Sequence, residues 1–379
     1  MLIVVSVLCY ALWAVFARHV LVELYLSFMW TYGGGFAGGA SSSYNGSNIV
    51  SQSVTKGTPI IYVNYNYRLG PLGFPQGQEA ESRGQLNLGL RDQLTALEWV
   101  QQNIGLFGGD KTKVVNSLCN NFRRKCWIYD DEFDASKLVD FQLCLGCASS
   151  PVIYNASARE STWQDFVAGT TGCKSVAGTQ NNFGCLQAVN SSAIYQGIVE
   201  AYALAIEDFP FYPVLDGTSG VLPDLPTQLW AKGKFATIPF ISGTNLDEGT
   251  GQQTNRSFTD GDIKDYIQTT YSAFPPYIPD AILDRFLELY PNDPSLGSPY
   301  GTGNESFGLP VGYKRLASMM GDLTFDAQRR TWIQAAVRAG VKSYVTHSAE
   351  LEFIYGELDS STEPASSILL GEMMVDYWV

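Results

Sequence analysis

The stretch Trp30-Thr-Tyr-Gly-Gly-Gly-Phe36 decides the fold of this chain, because it ends an apolar run and then places three glycines in succession. Glycine has no Cβ, so a run of glycines lets backbone N–H groups face whatever lies beside the loop. Amides arranged in this way favour an anion, such as the oxyanion of a tetrahedral intermediate. The stretch therefore predicts a strand that delivers a loop able to bind an anionic intermediate.

The residues after the glycine loop alternate between strand and helix patterns. Residues 59–65 form a β-rich run typical of a buried strand, and residues 68–74 form a loop interrupted by Gly and Pro. Apolar residues then recur at helical spacing over residues 90–104, and Gly108-Gly109 ends the helix. This order of strand, loop, strand and helix predicts an α/β fold.

Composition indicates a globular chain and excludes one class of partner. The 379 residues are 45% hydrophobic and 16% charged, so they could bury the core of one large domain or two smaller ones. The formal net charge of −13 would repel phosphate backbones and anionic membrane surfaces. We therefore expect no nucleic-acid partner.

Sequons and cysteines suggest the secretory pathway. The odd number of cysteines, seven, cannot pair completely within one chain, but Cys173 and Cys185 look like a small disulfide loop. Cys144-Leu-Gly-Cys147 has C-x-x-C spacing without the second pair or flanking histidine that a zinc site needs. Five N-x-[ST] sequons are candidates for glycosylation: Asn45, Asn155, Asn190, Asn255 and Asn304.

The first 28 residues form an apolar N-terminal segment with several interpretations. Residues 2–17 are uncharged, too short for a membrane-spanning helix and about right for the core of a signal peptide. The basic residues that open a signal peptide are missing, and apolar residues resume from residue 20. A signal peptide, a signal anchor and a wrongly assigned N-terminus all stay open. We expect a secreted, extracellular protein without a stable membrane span.

Residues 115–149 differ from their surroundings. They contain four of the seven cysteines, a basic cluster at residues 123–125 and an acidic one at residues 130–132, without a strand or helix period. A charge cluster of this kind is usually a solvated surface. We expect an irregular insert here within a single domain that covers residues 29–379.

Taken together, these segments resemble the type-B carboxylesterase and lipase family of α/β-hydrolases, in particular its secreted fungal members, and more distantly the cholinesterases. The resemblance implies the α/β-hydrolase fold, a central and mostly parallel sheet flanked by helices, here incomplete at both ends. It also implies hydrolysis of small-molecule or lipid esters with no cofactor or metal, and it leaves the oligomeric state open. It rests on Trp30-Thr-Tyr-Gly-Gly-Gly-Phe36, Val63-Asn-Tyr-Asn-Tyr-Arg-Leu-Gly-Pro-Leu-Gly-Phe74, Asn87-Leu-Gly-Leu-Arg-Asp-Gln93, Pro213-Val-Leu-Asp-Gly217 and Gly243-Thr-Asn-Leu-Asp-Glu-Gly-Thr250.

Carried over to this sequence, the resemblance makes Gly34 and Gly35 the oxyanion-hole donors, Glu248 the triad acid and His347 the general base. A Glu hydrogen-bonded to imidazole fixes its tautomer and stabilises the imidazolium that forms during attack. Residues 237–243 and 340–346 read as strands that deliver this acid and this histidine. Each residue also has a simpler interpretation. Gly34 and Gly35 could form only a structural tight turn, Glu248 could lie on a solvated turn, and His347 could be a surface histidine.

The nucleophile is missing from this pattern. In the family the serine occupies the strained G-x-S-x-G elbow, and no such motif occurs in the 379 residues. The equivalent position falls on Asn120, whose carboxamide cannot attack an ester. Ser117 or Cys119 could serve only if the backbone there were rebuilt. We expect impaired hydrolysis, with a wrongly assembled coding sequence as one cause; the alternatives are a non-catalytic binding or adhesion module and an inactive truncated product.

Overall fold

A computed structural model describes residues 5–8, 24–119, 141–145, 153–207, 209–238, 240–251, 257–272, 275–341 and 343–344. In these ranges no helix combines the length and the apolar character that crossing a bilayer requires. The described strands form one sheet in the order β1-β3-β2-β4-β5-β6-β7, in which only the β1–β3 pair is antiparallel. The strands are β1 (Val5–Leu8), β2 (Tyr25–Thr31), β3 (Ile60–Tyr65), β4 (Gly109–Cys119), β5 (Phe141–Leu145), β6 (Phe240–Gly243) and β7 (Ser343–Tyr344).

The strand order changes direction at β2, because β3 lies on one side of it and β4 on the other. In open α/β sheets a crevice forms outside the carboxyl ends of the strands at such a switch point, and ligands bind there. The loop that leaves β2 at this point is the glycine stretch from which the sequence argument started. Topology therefore places this stretch where a binding site is expected.

Helices surround the sheet and form the outer layers of the fold. The long helix α4 begins after Asn87, which adopts a left-handed conformation with φ of 53°, and it buries Leu90, Leu97 and Val100 against the sheet. The helices are α1 (Ser47–Thr55), α2 (Gly70–Gly73), α3 (Gly77–Ser82), α4 (Leu88–Asn103), α5 (Glu160–Gly169), α6 (Asn182–Ala188), α7 (Ser191–Leu204), α8 (Pro226–Ala231), α9 (Asp260–Tyr271), α10 (Asp280–Leu289), α11 (Tyr313–Gly321) and α12 (Ala327–Arg338).

The main core lies between the sheet and helices α4 and α5. Met29, Ile61 and Val63 from the strands are fully buried there together with Val100 and Phe166 from the helices. Burial of one such side chain stabilises the fold by about 1.5–3 kcal/mol. A separate cluster unites α9, α10 and α11.

The α/β fold expected from the sequence is confirmed, and β3 and α4 occupy the predicted segments. Within residues 115–149, expected to be an irregular insert, the described residues are regular: β4 continues to Cys119 and β5 lies at residues 141–145, while the irregular insert stays a prediction for residues 120–140 and 146–149, which lie outside the described residues. Both are central strands of the sheet, and buried parallel strands show no alternation of polar and apolar residues that a sequence pattern could reveal. The division at residue 29 stays a prediction, although β2 already begins at Tyr25 and β1 pairs with β3.

Candidate active site

The glycine loop, residues 32–40, has a backbone that only glycine adopts without strain. Gly34 and Gly35 have φ values of 116° and 63°. A Cβ at Gly34 would lie 2.3 Å from the carbonyl oxygen of Gly38, so no larger residue fits there. The Gly34 carbonyl accepts hydrogen bonds from the N–H groups of Ala37 and Gly38, at 3.0 and 3.1 Å. The N–H groups of Gly34 and Gly35 donate to no acceptor in the described part of the chain, so both are available to a ligand.

Two tyrosines hold the beginning of the glycine loop. The rings of Tyr32 and Tyr67 stack with their centroids 4.7 Å apart. The Tyr67 hydroxyl donates to the carbonyl of Tyr32 at 3.0 Å, and the Tyr67 N–H donates to the Tyr32 hydroxyl at 3.3 Å. Burial raises the pKa of Tyr32 above its ordinary value, so this hydroxyl stays neutral. Each tyrosine thereby fixes the backbone of the other.

The segment after β3 holds the end of the loop. The Gly70 N–H donates to the carbonyl of Phe36 at 2.7 Å, which fixes a phenylalanine with φ of 65°. A bulky residue with positive φ is strained and persists only where its surroundings impose the conformation. Arg68 then anchors this segment to α4 through a bidentate pair with the buried Asp92, at 2.7 Å for both contacts.

A third segment covers the glycine loop from the other side. The ring of Phe209 packs on Gly35, where a Cβ would lie 2.8 Å from its Cδ1. Arg159, which is fully buried, forms an ion pair with Glu207 at 2.7 Å and lies 4.3 Å from the ring centroid of Tyr212. Glu207 and Tyr212, the two partners of Arg159, bracket Phe209 in sequence, so Arg159 helps to fix the segment on which Phe209 lies.

Strand β4 runs beside the glycine loop and leads to the position of the missing nucleophile. In the β2–β4 ladder Trp30 pairs with Ser117 and Thr31 pairs with Leu118. The carboxyl end of β4 therefore lies next to the glycine loop. Asn120, on which the family's nucleophile position falls, comes directly after Cys119 and lies outside the described residues, as does His347.

Glu248 lies on the acid turn, residues 244–251, which follows the carboxyl end of β6. Its Oε1 accepts a hydrogen bond from the Asn245 N–H at 2.7 Å. The neighbouring Asp247 points away from the turn, and its Oδ1 accepts from the Ser298 hydroxyl at 2.6 Å and from the Tyr300 N–H at 2.9 Å. The two adjacent carboxylates thus have different surroundings. Asp247 connects the acid turn to residues 298–300, while Glu248 lines a small cleft.

Helix α11 and the π-helix Asp322–Asp326 pack against the acid turn. Gly249 touches α11 so closely that a Cβ there would lie 1.8 Å from the Ala317 carbonyl oxygen. The Thr244 hydroxyl donates to Asp326 at 2.8 Å. Burial and a hydrogen bond to Asp322 together raise the pKa of Tyr290, so its hydroxyl stays protonated beside the cleft.

Several known proteins are similar to this chain in sequence. Residues 27–116 match the model of the carboxylesterase family. Lipase 2 of Geotrichum candidum is 32% identical over 324 residues, which are 81% of this chain and 56% of the relative. Secreted lipase 1 of Botryotinia fuckeliana is 32% identical over 336 residues, 82% of this chain and 54% of the relative. These matches support the type-B carboxylesterase and lipase family as the family of this chain.

The solved structure of EstA from Aspergillus niger shares the fold of this family member, with a TM-score of 0.72 and 23% identity over 91% of this chain and 67% of that one. The chain spans about half the length of the curated relatives it matches, at 54–56%. The family resemblance read from the sequence is confirmed.

The sequence pattern singles out the glycine loop and Glu248 as candidate site residues, but it does not reveal the residues that support them. It did not single out Phe209, although an aromatic pair, Phe209-Pro-Phe211, stands just before the quoted motif that begins at Pro213. The sequence around Glu248 also gives no sign that Ser298 and Asp326 form hydrogen bonds to the acid turn. No local pattern marks these partners, because they are separated from the turn by 51 and 82 residues.

The other sites expected from the sequence lie away from this edge or at the surface. Cys173 and Cys185 are joined by a disulfide with Cα atoms 5.7 Å apart. The described residues contain no group of three or more His, Cys, Asp or Glu side chains that could hold a metal. Four sequon asparagines are exposed, namely Asn45, Asn155, Asn190 and Asn304, while Asn255 lies outside the described residues.

Proposed function

We propose that this chain is a secreted carboxylic ester hydrolase of the serine esterase and lipase type whose site, as the sequence stands, lacks its nucleophile. The observation that carries the proposal is the pair of available amides at Gly34 and Gly35, held at the carboxyl end of β2 beside β4. Backbone donors fixed in this way stabilise charge that develops on a carbonyl oxygen in the transition state. Glu248 on the acid turn after β6 supplies the matching carboxylate.

In an intact site the reaction is acyl transfer. A serine after β4 attacks the ester carbonyl, the histidine takes its proton and later returns it to the leaving alcohol, and the amides of Gly34 and Gly35 bind the oxyanion. His347, soon after β7, has the role of that histidine, and Glu248 orients it. The order of nucleophile, acid and histidine along the chain is the one that α/β-hydrolases use.

Without the serine, little of this catalysis is left. Removal of a triad nucleophile leaves the modest acceleration that the oxyanion hole and substrate binding provide. Substrates of the site are neutral small-molecule or lipid esters, which the net charge of −13 does not repel. An extracellular location is supported by the Botryotinia fuckeliana relative, named a secreted lipase, and by the disulfide between Cys173 and Cys185.

The test combines sequencing with an assay. Transcripts are sequenced across codons 115–149, and the protein is purified and offered p-nitrophenyl esters. An alternative transcript with an in-frame G-x-S-x-G, whose product hydrolyses these esters, supports the proposal. If every transcript encodes the present residues and the protein hydrolyses no ester, the chain is a non-catalytic binding module or an inactive product, and the proposal fails for it.

A further inference from the structure

The loop that precedes helix α11, residues 299–312, presents a strained aromatic residue at the surface. We call these residues the Phe307 loop. Residues 303–308 are all exposed, and Phe307 exposes 53% of its surface. Phe307 also has φ of 56°, in the left-handed region that a bulky residue adopts only under strain. An extended backbone at Phe307 would relieve this strain.

Few contacts oppose the opening of the Phe307 loop. The Glu305 N–H donates to the Thr302 carbonyl at 3.2 Å, and the Leu309 N–H donates to the Ser306 carbonyl at 2.9 Å. The Phe307 N–H donates to Oε1 of Glu305 at 2.9 Å. Among the described residues, the hydrogen bonds of residues 304–308 thus stay within the loop. A segment held only by such local bonds opens easily, and proteases cleave the opened form.

Three other exposed aromatic residues are held in ways that a protease accepts poorly. An extended peptide docks through its own backbone N–H and C=O groups, which must be free. Tyr195 is 68% exposed, but it lies inside α7. Tyr277 is flanked by prolines, which have no N–H, and the Tyr300 N–H donates to Asp247. Exposure alone therefore does not single out Phe307; the combination of exposure and local bonding does.

From these observations we infer that an endopeptidase that cleaves after aromatic residues converts the protein into a two-chain form at the Phe307–Gly308 bond. Water adds across this peptide bond: its hydroxyl goes to the carbonyl carbon of Phe307, which becomes a carboxylate, and Gly308 leaves with a new amino group. Both new charges lie on the exposed loop, where water solvates them. The modification is independent of ester hydrolysis.

The part of the chain after the bond stays attached, because its contacts with the preceding part lie outside residues 304–308. Lys314 is 4% exposed, and its Nζ donates to Oγ1 of Thr302 at 2.8 Å and to the Gly303 carbonyl at 2.7 Å. The Tyr313 hydroxyl donates to the Thr250 carbonyl at 2.9 Å. Helix α11 also shares an apolar cluster with α9 and α10. The two chains should therefore remain one folded unit.

The sequon at Asn304 gives this bond a means of regulation. Asn304 precedes Phe307 by three residues, so about 11 Å is the most that can separate their Cα atoms. A glycan is bulky. On Asn304 it would keep an endopeptidase from the bond, so glycosylation there protects the single-chain form.

Limited digestion with chymotrypsin tests the inference. The Asn304→Gln variant is treated briefly at low protease concentration, and mass spectrometry identifies the fragments. The fragment that begins at Gly308 should form at least tenfold faster than the one that begins at Gln196, directly after Tyr195. Adding Phe307→Asn, which tolerates positive φ, should abolish the Gly308 fragment. Adding Tyr277→Ser, the matched control at another exposed aromatic residue, should change its rate less than twofold.

Two further measurements complete the test. In gel filtration without denaturant the two fragments should elute together, and in urea they should separate. The unaltered protein, secreted from a host that glycosylates, should be cleaved at least tenfold more slowly than Asn304→Gln. Thermal unfolding at an unchanged temperature shows that each variant is folded; Phe307→Gly replaces Phe307→Asn if that variant is not.

Several results would overturn the inference. They are the absence of the Gly308 fragment, its formation no faster than the Gln196 fragment, undiminished cleavage within residues 303–309 in Phe307→Asn, and separation of the fragments without denaturant. Regulation by the glycan is refuted if Asn304 carries none in the secreted protein, or if the glycosylated protein and Asn304→Gln are cleaved at the same rate.

Discussion

The two ends of the glycine loop after β2 are held by hydrogen bonds to or among residues that follow it closely in the chain, whereas the acid turn after β6 is held by residues far away in sequence. The hydrogen bond from Tyr67 to Tyr32 spans 35 residues, and that between Arg68 and Asp92 spans 24. The bond between Thr244 and Asp326 spans 82 residues. The hydrogen bonds that hold the ends of the glycine loop are therefore local, while the acid turn depends on the assembled fold.

This difference explains how the chain can keep its oxyanion loop with no nucleophile elbow. The described contacts that fix the glycine loop at its two ends lie between residues 31 and 92, before the sequence departs from the family pattern near residue 115. The acid turn instead requires α11, the π-helix and residues 298–300 to be in place. Substitutions in the two regions should consequently act independently.

The largest effect is expected from Gly34→Ala. The new Cβ meets the Gly38 carbonyl oxygen at 2.3 Å, and the residue must keep φ at 116°, so the free energy of unfolding should fall by about 3 kcal/mol. Urea unfolding measures the loss. Hydrogen exchange should accelerate in residues 32–40 and 66–74 while residues 244–251 are unaffected. Gly38→Ala is the matched control, since nothing lies within 4 Å of its Cβ; equal losses in both variants would refute the packing argument.

Gly249→Ala tests the acid turn in the same way. Its Cβ would collide with the α11 backbone at the Ala317 carbonyl, without any cost from positive φ, so we expect a loss of about 2 kcal/mol. Here exchange should accelerate around residues 244–251 and 313–321, with the glycine loop unchanged. Gly251→Ala has open space around its Cβ and should be neutral. Faster exchange at the glycine loop would show that the two regions are coupled.

Asp92→Asn should lower the free energy of unfolding by about 1.5 kcal/mol, because it leaves the partly buried Arg68 guanidinium without its bidentate carboxylate. Chemical denaturation gives the value. Lys113→Gln provides the comparison, since Lys113 is exposed and lies 3.9 Å from Asp110. An exposed pair of this kind contributes little, so a change above about 0.5 kcal/mol would contradict the account.

The smallest effects are expected when one hydrogen bond is removed in each of the two regions. Tyr67→Phe removes the donor to the Tyr32 carbonyl, and Ser298→Ala removes the donor to Asp247. Each should cost about 1 kcal/mol in urea unfolding. Their combination should cost the sum, because the two bonds lie in separate regions. A loss in the double variant that departs from the sum by more than about 0.5 kcal/mol would show that the two regions are energetically coupled.

The same difference decides how much could be read from the sequence. The glycine loop, β3 and α4 were predictable because the glycine run, the apolar strand and the helical spacing are local signals. A motif singles out Glu248, but nothing local in the sequence indicates that Ser298, Tyr300 and Asp326 form hydrogen bonds to the acid turn. These contacts span more than fifty residues. Strand β5 was missed for a related reason: it is regular only through its pairing with β4 and β6.

The central proposal is that Gly34 and Gly35 are the oxyanion donors, and Glu248 the acid, of a site without a nucleophile. The most direct measurement is the release of p-nitrophenol from p-nitrophenyl butyrate by the purified chain, followed from the first turnover. The account predicts no stoichiometric burst and only a slow residual turnover, which the Gly34→Ala variant lowers further. A burst of one equivalent, abolished by replacement of Ser117 or Cys119, would contradict it.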